Sequence, residues 1–579
     1  MRTFITILAL AAGVGAQDLD RTSPFEGVRW EESTPIVQVG TIWYRLVSLD
    51  KVSAEQIVAF CKKTYDEKWQ KRFEEDLIPA LRAMGHTVRG TAVRLVVLKQ
   101  DGKKKTFPKA RLSAENRKRL RDARRSRQSV RRIPLPAAKA LEDLDELERL
   151  LEDRYSYLHL KGADYKAALD AARTACADGT DIHHFGVRLM KIMALFGDGH
   201  SRIGGSWALL PQGYAPFVLE RIGDRYLAVL PDRSGFVDND YPYVSTIDGQ
   251  PVDKWIEAVG VIVPKGSPAF VDSKSRERMM ALNFVRSELG RRLRSRVTLL
   301  LVAENGKKRK KAELDVLPRL PRVANWVRGT SGELDGNIGY LRLAEMDGSP
   351  EFQAKLRDRM QAFRGVSGLI IDVRQNGGGS RQPLRTLFPY FMKPNEDPYV
   401  ANVARYRMPP GTRRSTEGYL DNRFLRPISS REWSRAEKDL LEKFERSFKP
   451  EWEPKGAFSD RHFMLLRPGE VDIRFGHPVV ILMDGGCFSA TDIFLGAFKG
   501  RPNVTLMGTS SGGGSGRTQT VRLKNSRMRV RLSSMASFRP NGKMYDGNGI
   551  APDIVVEPIP NDYVGKTDSV LDAAVKHLR

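Results

Sequence analysis

The segment 478–500, PVVILMDGGCFSATDIFLGAFKG, contains a strand that turns directly into a helix. Residues 479–483 are continuously apolar, which predicts a strand buried on both faces of a parallel sheet. Gly485 and Gly486 end the strand, and apolar residues then return at helical spacing over 491–498. A strand of this kind needs helices on both sides of its sheet, so the segment predicts an α/β core.

Ser489 lies at the turn between this strand and helix, and the position suits two roles. The turn raises the hydroxyl beside free backbone N–H groups, and a helix N-terminus favours the negative charge that develops in acyl transfer. Serine is also among the best residues for capping a helix. From this segment alone, Ser489 is either a nucleophile or a helix cap.

The chain is too long for a single core. Its 579 residues predict about three or four domains. The sequence pattern indicates their order: a signal peptide at 1–16, a small α/β accessory domain at 25–110, a basic linker at 111–135, a helical part at 136–205, a β-rich binding domain at 206–320 and an α/β core at 321–579. Within the core, 394–467 is polar and irregular, which predicts an insertion.

The first sixteen residues have the pattern of a signal peptide. Arg2 precedes an apolar run at 4–12, and small residues end at Ala16, which predicts cleavage before Gln17. The alternative is a short buried helix. No later apolar run is long enough to span a bilayer, so we expect an exported protein, periplasmic or secreted.

Nearly half of the net charge of +26 comes from one segment. Residues 103–132 hold fourteen Lys and Arg against two acids, and their one aromatic residue is Phe107. The segment predicts either contact with an anionic surface or a solvated basic helix and linker. A single aromatic residue provides no stacking platform for single strands, so we expect no nucleic acid partner.

Metal and nucleotide sites are not indicated. The three cysteines, Cys61, Cys176 and Cys487, are far apart, without metal-type spacing or a readable disulfide framework. Glycine-rich loops at 374–379 and 508–516 lack the Gly-Lys-Ser/Thr end of a P-loop. We therefore expect no cofactor and no metal.

The remaining motifs fit acyl transfer. His200 follows a predicted helix in the Gly-flanked loop GDGHS, a setting in which a histidine is exposed enough to act as a base. A glycine run follows the predicted strand 368–373 and offers backbone N–H groups, and acids lie near the C-terminus. A nucleophile, a base, an orienting acid and oxyanion donors are the groups that acyl transfer needs.

These motifs, in their order, resemble a known family. FGDGHSRI, GLIIDVRQNGGG, FSATDIF, GTSSGGGSG and GNGIAPDIVV are similar to motifs of the C-terminal processing proteases and the related tricorn protease core. The resemblance runs from about 136 to the C-terminus. It implies an α/β core of the ClpP/crotonase-like β/α superhelix type, with a divergent PDZ-like domain at 206–320.

The resemblance also implies site residues. Ser489 matches the nucleophile, His200 the histidine base of the tricorn-like branch, and Asp546 its late orienting glutamate. The implied oxyanion donors are the backbone N–H of Ala490 and that of a residue in the glycine loop, Gly378 or Gly379.

Two positions depart from relatives, and several alternatives stay open. Gly514 stands where the lysine-dependent branch has its lysine, so a Ser–Lys dyad is not implied. Gly199 stands where a serine precedes the family histidine. Asp198 or Asp492 could replace Asp546 as the orienting acid, and Cys487 could replace Ser489 as the nucleophile. Arg374 and Asn376 are interpreted as loop-shaping.

The sequence therefore predicts an exported serine endopeptidase that acts on polypeptides, at C-terminal segments or in unfolded chains. The alternative is a non-catalytic member of the same fold that binds peptides or apolar ligands, as retinoid-binding relatives do. A weaker alternative is a polyanion-binding protein. The sequence indicates no oligomeric state.

Overall fold

The chain divides into two compact units, Met1–Arg131 and Arg132–Arg579. The structure is a computed structural model that describes residues 19–31, 33–40, 42–88, 90–99, 101–128, 133–160, 162–326, 329–412 and 418–579. The predicted signal peptide at 1–16 lies outside the described residues. None of the helices in these ranges is long and apolar enough to cross a bilayer.

The first unit is an antiparallel sheet with helices. Its strands are Gly27–Glu31, Thr34–Val39, Ile42–Leu49, Val52–Ser53, Ala92–Leu98 and Lys104–Arg111. Its helices are Ala54–Tyr65, Trp69–Glu75, Leu77–Ala83 and Ala114–Gln128, with 3-10 turns at Leu19–Arg21 and Asp66–Lys68. Ser53 and Gln56 form a capping box, since Ser53 Oγ accepts from the Gln56 N–H at 3.1 Å and Gln56 Oε1 from the Ser53 N–H at 3.0 Å.

The prediction of a linker at 111–135 is wrong for much of that segment. Residues 114–128 form a helix, and Leu120 on this helix is fully buried. Arg117 donates to the Glu75 carbonyl at 2.7 Å and to Asp76 at 2.9 Å, which ties the helix to the same unit. The many charged residues of the segment lie on a helix with one buried apolar contact, and composition alone cannot distinguish this from a linker.

The second unit begins with helices, as predicted for 136–205. They are Ala137–Arg154, Tyr165–Thr174 and Ile182–Met193, and a short helix Ser206–Leu209 follows. The third helix ends a few residues before His200, and Asp181 caps its start by accepting from the His183 and His184 N–H groups. The helix therefore places the GDGHS loop at its C-terminal end.

The predicted β-rich region is an antiparallel sheet that also carries helices. Its strands are Val218–Ile222, Arg225–Val229, Tyr243–Ile247, Gln250–Pro251, Arg296–Val302 and Arg309–Asp315. Its helices are Val252–Val259, Pro268–Arg278 and Leu282–Glu288, with a 3-10 turn at Gly260–Ile262. Trp255 is fully buried between helix and sheet and donates to the Ile247 carbonyl at 3.0 Å.

The core is a mixed α/β structure built on a parallel sheet, as the apolar run predicts. Its strands in spatial order are Gly332–Leu334, Ile338–Arg342, Gly368–Asp372, Val479–Met483, Val504–Gly508 and Ile554–Val555. All pairs are parallel except the first. Val479–Met483 is central and buried at every residue. Helices Pro350–Ala362, Gln382–Leu387, Ala490–Phe498 and Ser569–Leu578 belong to this core, with 3-10 turns at Phe388–Phe391 and Pro560–Val564.

The prediction of an irregular insertion at 394–467 is wrong. This segment supplies a helix, Arg435–Ser447, and three strands of a second sheet, whose order is Arg426–Pro427, His462–Leu466, Tyr399–Tyr406 and Met535–Phe538. A 3-10 turn lies at Asp421–Arg423. The strand His462–Leu466 is buried at all five residues. The neighbouring strand Tyr399–Tyr406 pairs with both His462–Leu466 and Met535–Phe538, and the second of these lies far along the chain.

Two small sheets complete the unit. One joins Thr518–Arg522, Arg529–Ser533 and Arg202–Ile203, and the other joins Pro134–Leu135 and Thr180–Asp181. In the first, Arg202 pairs with Arg531 and Ile203 with Val530. This pairing fixes the chain immediately after His200 against a hairpin from the C-terminal part of the core.

Candidate active site

Ser489 occupies a strained backbone conformation at the turn after the central strand. Its φ of 64° and ψ of −117° are unusual for a residue with a side chain. The helix Ala490–Phe498 begins at the next residue, yet the Ser489 hydroxyl makes no capping hydrogen bond. The helix-cap interpretation is therefore not supported, and the hydroxyl is free for other contacts.

His200 lies directly beside this hydroxyl. Its Nε2 is 3.1 Å from Ser489 Oγ, and the histidine is 6% exposed. The imidazole stacks on Phe488, with ring centroids 4.5 Å apart and an interplanar angle of 30°. The stacking and the strand pairing after His200 together hold the ring toward Ser489.

Two carboxylates lie on the other side of the imidazole. Asp546 Oδ1 is 3.8 Å and Asp198 Oδ1 is 3.9 Å from His200 Nδ1. Both distances exceed a hydrogen bond. Among the described residues, His200 Nδ1 and Asp546 Oδ1 are buried without a hydrogen-bond partner. The structure thus brings both candidate acids to Nδ1, with neither in direct hydrogen-bond contact.

The two carboxylates differ in their other contacts. Asp198 Oδ1 accepts from the His200 N–H at 2.8 Å, and its Oδ2 accepts from the Ser201 hydroxyl. Burial, followed by the charge of Asp546, raises the pKa of Asp198. Asp546 Oδ2 accepts from Tyr157 at 2.7 Å and from Ser515 at 2.6 Å, which leaves its Oδ1 facing the imidazole.

Tyr157 and Ser515 are contacts that sequence reasoning missed. Tyr157 lies 389 positions from Asp546, and no local pattern links the two. Burial, followed by the charge of Asp546, raises the pKa of the Tyr157 hydroxyl, so this group remains a donor. Ser515 lies within the recognisable GTSSGGGSG motif, but its role there is visible only from the carboxylate that it contacts.

The glycine loop after Gly368–Asp372 packs against the nucleophile turn. A Cβ on Gly378 would approach Phe488 O to 2.5 Å and Ser489 Cβ to 2.7 Å, so only glycine fits there. The Gly378 N–H donates to Asn376 Oδ1 at 2.9 Å. Of the predicted oxyanion donors, Gly378 is thus already engaged. The Ala490 N–H, at the first residue of its helix, has no acceptor within the helix.

Two glycines leave room for the imidazole and its aromatic neighbours. A Cβ on Gly514 would lie 2.5 Å from Phe488 and 2.8 Å from His200 Cε1. A Cβ on Gly199 would lie 2.6 Å from Phe270 and 2.8 Å from Phe488. The space that a lysine at 514 would enter is occupied by His200 and Phe488.

Asp492 has a supporting role. Its carboxylate is buried and accepts from the Gly514 N–H at 2.8 Å, the Gly513 N–H at 3.1 Å and the Ser511 hydroxyl. Burial raises the pKa of Asp492 to about 7. These contacts hold the loop beside His200, whereas the carboxylates near Nδ1 belong to other residues.

Cys487 is not placed as a nucleophile. The side chain is fully buried, and the thiol donates to the Val373 carbonyl at 3.0 Å. Burial raises the pKa of this thiol well above its usual value. A reactive cysteine needs an accessible thiolate, so Cys487 has a packing role.

Asn376 and Arg374 shape the glycine loop, as expected. Asn376 donates to the Leu343 carbonyl and accepts from Thr491 and from the Gly378 N–H, each at 2.9 Å. Arg374 is buried and pairs with Asp372 and Asp568, each at 2.7 Å.

A cleft of about 730 Å³ lies beside these loops. It is lined by Gly377, Gly485 and Gly486 from the two glycine turns, and by Pro268 and Asp272 from the helix Pro268–Arg278. From the glycine turns the cleft extends along the β-rich region, where Val218 and Arg221 line it.

Comparison with known proteins identifies the core. Residues 337–556 match the family described as Peptidase family S41. The matched segment contains Ser489, Asp546 and the glycine loop, and His200 lies before it. A carboxy-terminal-processing protease from Bartonella bacilliformis is 37% identical over 95 residues, which cover 16% of this chain and 22% of that protein. The chain thus spans about a fifth of the length of this curated relative.

Solved structures share the fold at low sequence identity. Mature CPAF aligns with a TM-score of 0.55 and 17% identity, covering 76% of this chain and 98% of CPAF. Mature CPAF complexed with lactacystin aligns with a TM-score of 0.53 and 17% identity, covering 76% of this chain and 99% of that chain. Residues 337–556 thus match peptidase family S41, and the chain shares the fold of mature CPAF.

Proposed function

We propose that this protein is a serine peptidase that hydrolyses peptide bonds by acyl transfer from Ser489. The observation that carries the proposal is the 3.1 Å contact between His200 Nε2 and the hydroxyl of a serine held at a strained strand-to-helix turn. A nucleophile within hydrogen-bond reach of a base that is itself oriented by a third group is the arrangement of this chemistry.

In the proposed reaction, Ser489 Oγ attacks the peptide carbonyl and passes its proton to His200 Nε2. The carbonyl oxygen becomes an oxyanion, which the Ala490 N–H and the glycine loop at 378–379 stabilise. Because the Gly378 N–H is engaged by Asn376, Gly379 is the better second donor. His200 then protonates the leaving amine, and water releases the acyl group by the reverse sequence.

Asp546 is proposed as the acid that orients His200. Its Oδ1 faces Nδ1 at 3.8 Å, and Tyr157 and Ser515 hold the other oxygen in place. A modest side-chain movement closes this gap, and catalytic hydrogen bonds are often long before substrate binds. The carboxylate of Asp198 also lies near the imidazole, with its Oδ1 3.9 Å from His200 Nδ1.

The proposed substrates are C-terminal segments or unfolded polypeptides. The name of the curated relative, carboxy-terminal-processing protease, supports the first. The cleft along the glycine turns and the β-rich region supports extended chains in general. We also propose export directed by residues 1–16. Mass spectrometry of the mature N-terminus tests this, since cytoplasmic protein that retains Met1 would exclude export.

A fluorophosphonate probe tests the nucleophile, and a peptide substrate tests the reaction. We expect covalent labelling of the peptide that contains Ser489, and its loss in His200→Ala. Folded wild-type protein that neither labels nor hydrolyses peptides would favour the non-catalytic alternative.

A further inference from the structure

Three metal-ligating atoms converge on the side of His200 that faces away from Ser489. His200 Nδ1, a carboxylate oxygen of Asp198 and one of Asp546 all lie within 4.8 Å of one another. Two of these atoms, His200 Nδ1 and Asp546 Oδ1, are buried without a hydrogen-bond partner among the described residues. The two atoms are 3.8 Å apart, too far to satisfy each other in this arrangement, and a cation between them would satisfy both.

The cluster carries a buried negative charge. Asp198 is 0% and Asp546 is 1% exposed, and the ion pairs within 4.0 Å recorded for them both involve His200. Burial, followed by the charges of Asp198 and Asp546, raises the pKa of the Tyr155 hydroxyl. Two carboxylates in a site of low dielectric favour a bound cation.

We propose that Asp198, Asp546 and His200 Nδ1 form a binding site for Zn²⁺ or a similar divalent transition metal, and that the bound metal inhibits the enzyme. The inhibition rests on the proposed peptidase function, whereas metal binding does not. The hydrolysis itself needs no metal.

The distances fit such an ion after a small contraction. Ligand atoms about 2.1 Å from a tetrahedral zinc lie about 3.4 Å apart. The separations from Nδ1 are 3.8 and 3.9 Å, so each of these two pairs must close by about half an ångström, and the carboxylate oxygens start within 4.8 Å of each other. One imidazole nitrogen with two carboxylates suits zinc better than calcium, which takes six to eight oxygens.

The ligand side chains also have hydrogen bonds on the atoms that face away from the proposed metal, as metal ligands usually do. Tyr157 and Ser515 donate to the Asp546 oxygen that faces away from the imidazole, and Ser201 donates to the corresponding oxygen of Asp198. The second imidazole nitrogen of His200 is at hydrogen-bond distance from Ser489. Such outer contacts orient ligands and strengthen metal binding.

Metal binding at Nδ1 explains the inhibition through the tautomer of His200. A neutral imidazole carries one proton, and a metal on Nδ1 leaves that proton on Nε2. Nε2 then donates to Ser489 Oγ and no longer accepts the serine proton. Because the ligands are almost fully buried, the metal enters only when the site opens, so inhibition should develop slowly.

Metal binding is tested in full-length Ser489→Ala protein, which keeps all three ligands. After treatment with EDTA, we expect one Co²⁺ per chain by its visible absorption and one Zn²⁺ by calorimetry. Asp198→Asn and Asp546→Asn in this background should each weaken binding at least about tenfold. His184→Ala is the matched control, because His184 contacts Asp181 at 2.6 Å in a different His–Asp pair, and it should leave binding unchanged.

Two further measurements separate the outcomes. X-ray absorption at the zinc edge should show one nitrogen and two carboxylate ligands, independently of any variant. In wild-type protein, Zn²⁺ should abolish probe labelling slowly, and EDTA should restore it. Absence of stoichiometric metal in Ser489→Ala, or binding unaffected by both Asn variants, would overturn the site. Metal binding in a chain that hydrolyses no peptide would instead count against the proposed function alone.

Discussion

The Ser489 hydroxyl oxygen lies 3.1 Å from His200 Nε2, although the two residues are 289 positions apart. Ser489 comes from the turn after the central strand of the parallel sheet, and His200 from the loop after the helix Ile182–Met193. Phe488 joins the two, because it precedes the serine and stacks on the imidazole. The contact between Ser489 and His200 therefore depends on how the helical part packs against the core.

Ser489→Ala should lower kcat by at least about 10⁴-fold and abolish probe labelling, because it removes the hydroxyl that lies 3.1 Å from His200 Nε2. The unfolding free energy should change by less than about 0.5 kcal/mol, since Ser489 makes no capping hydrogen bond and alanine keeps the same Cβ strain. Cys487→Ala is the neighbouring control and should retain activity. Hydrolysis by folded Ser489→Ala protein at the wild-type rate would exclude Ser489 as the nucleophile.

Asp546→Asn should reduce kcat by about 10²–10⁴-fold with slow probe labelling retained, because the amide no longer supplies a negative charge to the imidazolium. Tyr157→Phe removes only one donor to the Asp546 carboxylate, 2.7 Å away, so its effect should be smaller. Steady-state kinetics on one peptide measures both. A larger loss in Tyr157→Phe than in Asp546→Asn would reject Asp546 as the orienting acid.

Asp198 should make the stability of the protein depend on pH. Burial and the charge of Asp546 raise the pKa of Asp198 in the folded state, whereas an unfolded aspartate titrates near about 3.9. Below the unfolded pKa, the contribution of Asp198 to the free energy of unfolding is fully present. This contribution is lost as pH rises through the folded pKa, because over that range the folded chain holds a proton that the unfolded chain has released.

Asp198→Asn, which carries no titratable group, should therefore gain thermal stability relative to its parent as pH rises from about 4 toward 8. Scanning calorimetry of both proteins in the Ser489→Ala background avoids self-digestion. A difference in melting temperature that stays constant across this range would show that Asp198 titrates alike in both states.

Gly514→Ala should lower kcat/KM by at least about 10²-fold, because the added Cβ would come within 2.5 Å of Phe488 and 2.8 Å of His200. Gly476→Ala is a suitable control, since a Cβ there meets nothing within 4 Å. Kinetics and melting temperature should be compared for both variants. A folded Gly514→Ala enzyme with wild-type kinetics would show that this packing does not hold the base.

A fragment of residues 133–579 should fold and hydrolyse the same peptide as the full chain. The first unit has its own apolar cluster, with members from Phe25 to Leu120, and the proposed site lies wholly in the second unit. Circular dichroism and kcat/KM of the fragment test this. The Ser489→Ala fragment serves as its control, and a folded but inactive 133–579 fragment would give the first unit a role in catalysis.

The sequence alone determined the elements whose signals are local. Five consecutive apolar residues at 479–483 can be satisfied only by burial on both faces of a sheet, and the structure has that strand. The capping box at Ser53 and Gln56 is likewise a short-range pattern that the structure confirms. Motif order was also enough to indicate a resemblance to the C-terminal processing proteases and the tricorn protease core, and that resemblance nominated Ser489, His200 and Asp546.

Local patterns failed where burial depends on partners far along the chain. Residues 394–467 appear irregular because one of their strands, Tyr399–Tyr406, pairs with Met535–Phe538 and their helix has a polar exposed face. The basic segment appears to be a linker because buried leucines such as Leu112 and Leu120 and an ion pair with Asp76 do not alter its composition.

Only the tertiary structure decided how the candidate acids relate to the base. Asp198 precedes His200 by two residues and Asp546 follows it by hundreds, yet both lie within 4 Å of Nδ1. Tyr157 and Ser515 acquire their contacts in the same way, through packing of the helical part against the core. Such distances follow from how whole helices and strands are placed relative to one another. Burial of apolar surface sets that placement, and the local spacing of residues does not encode it.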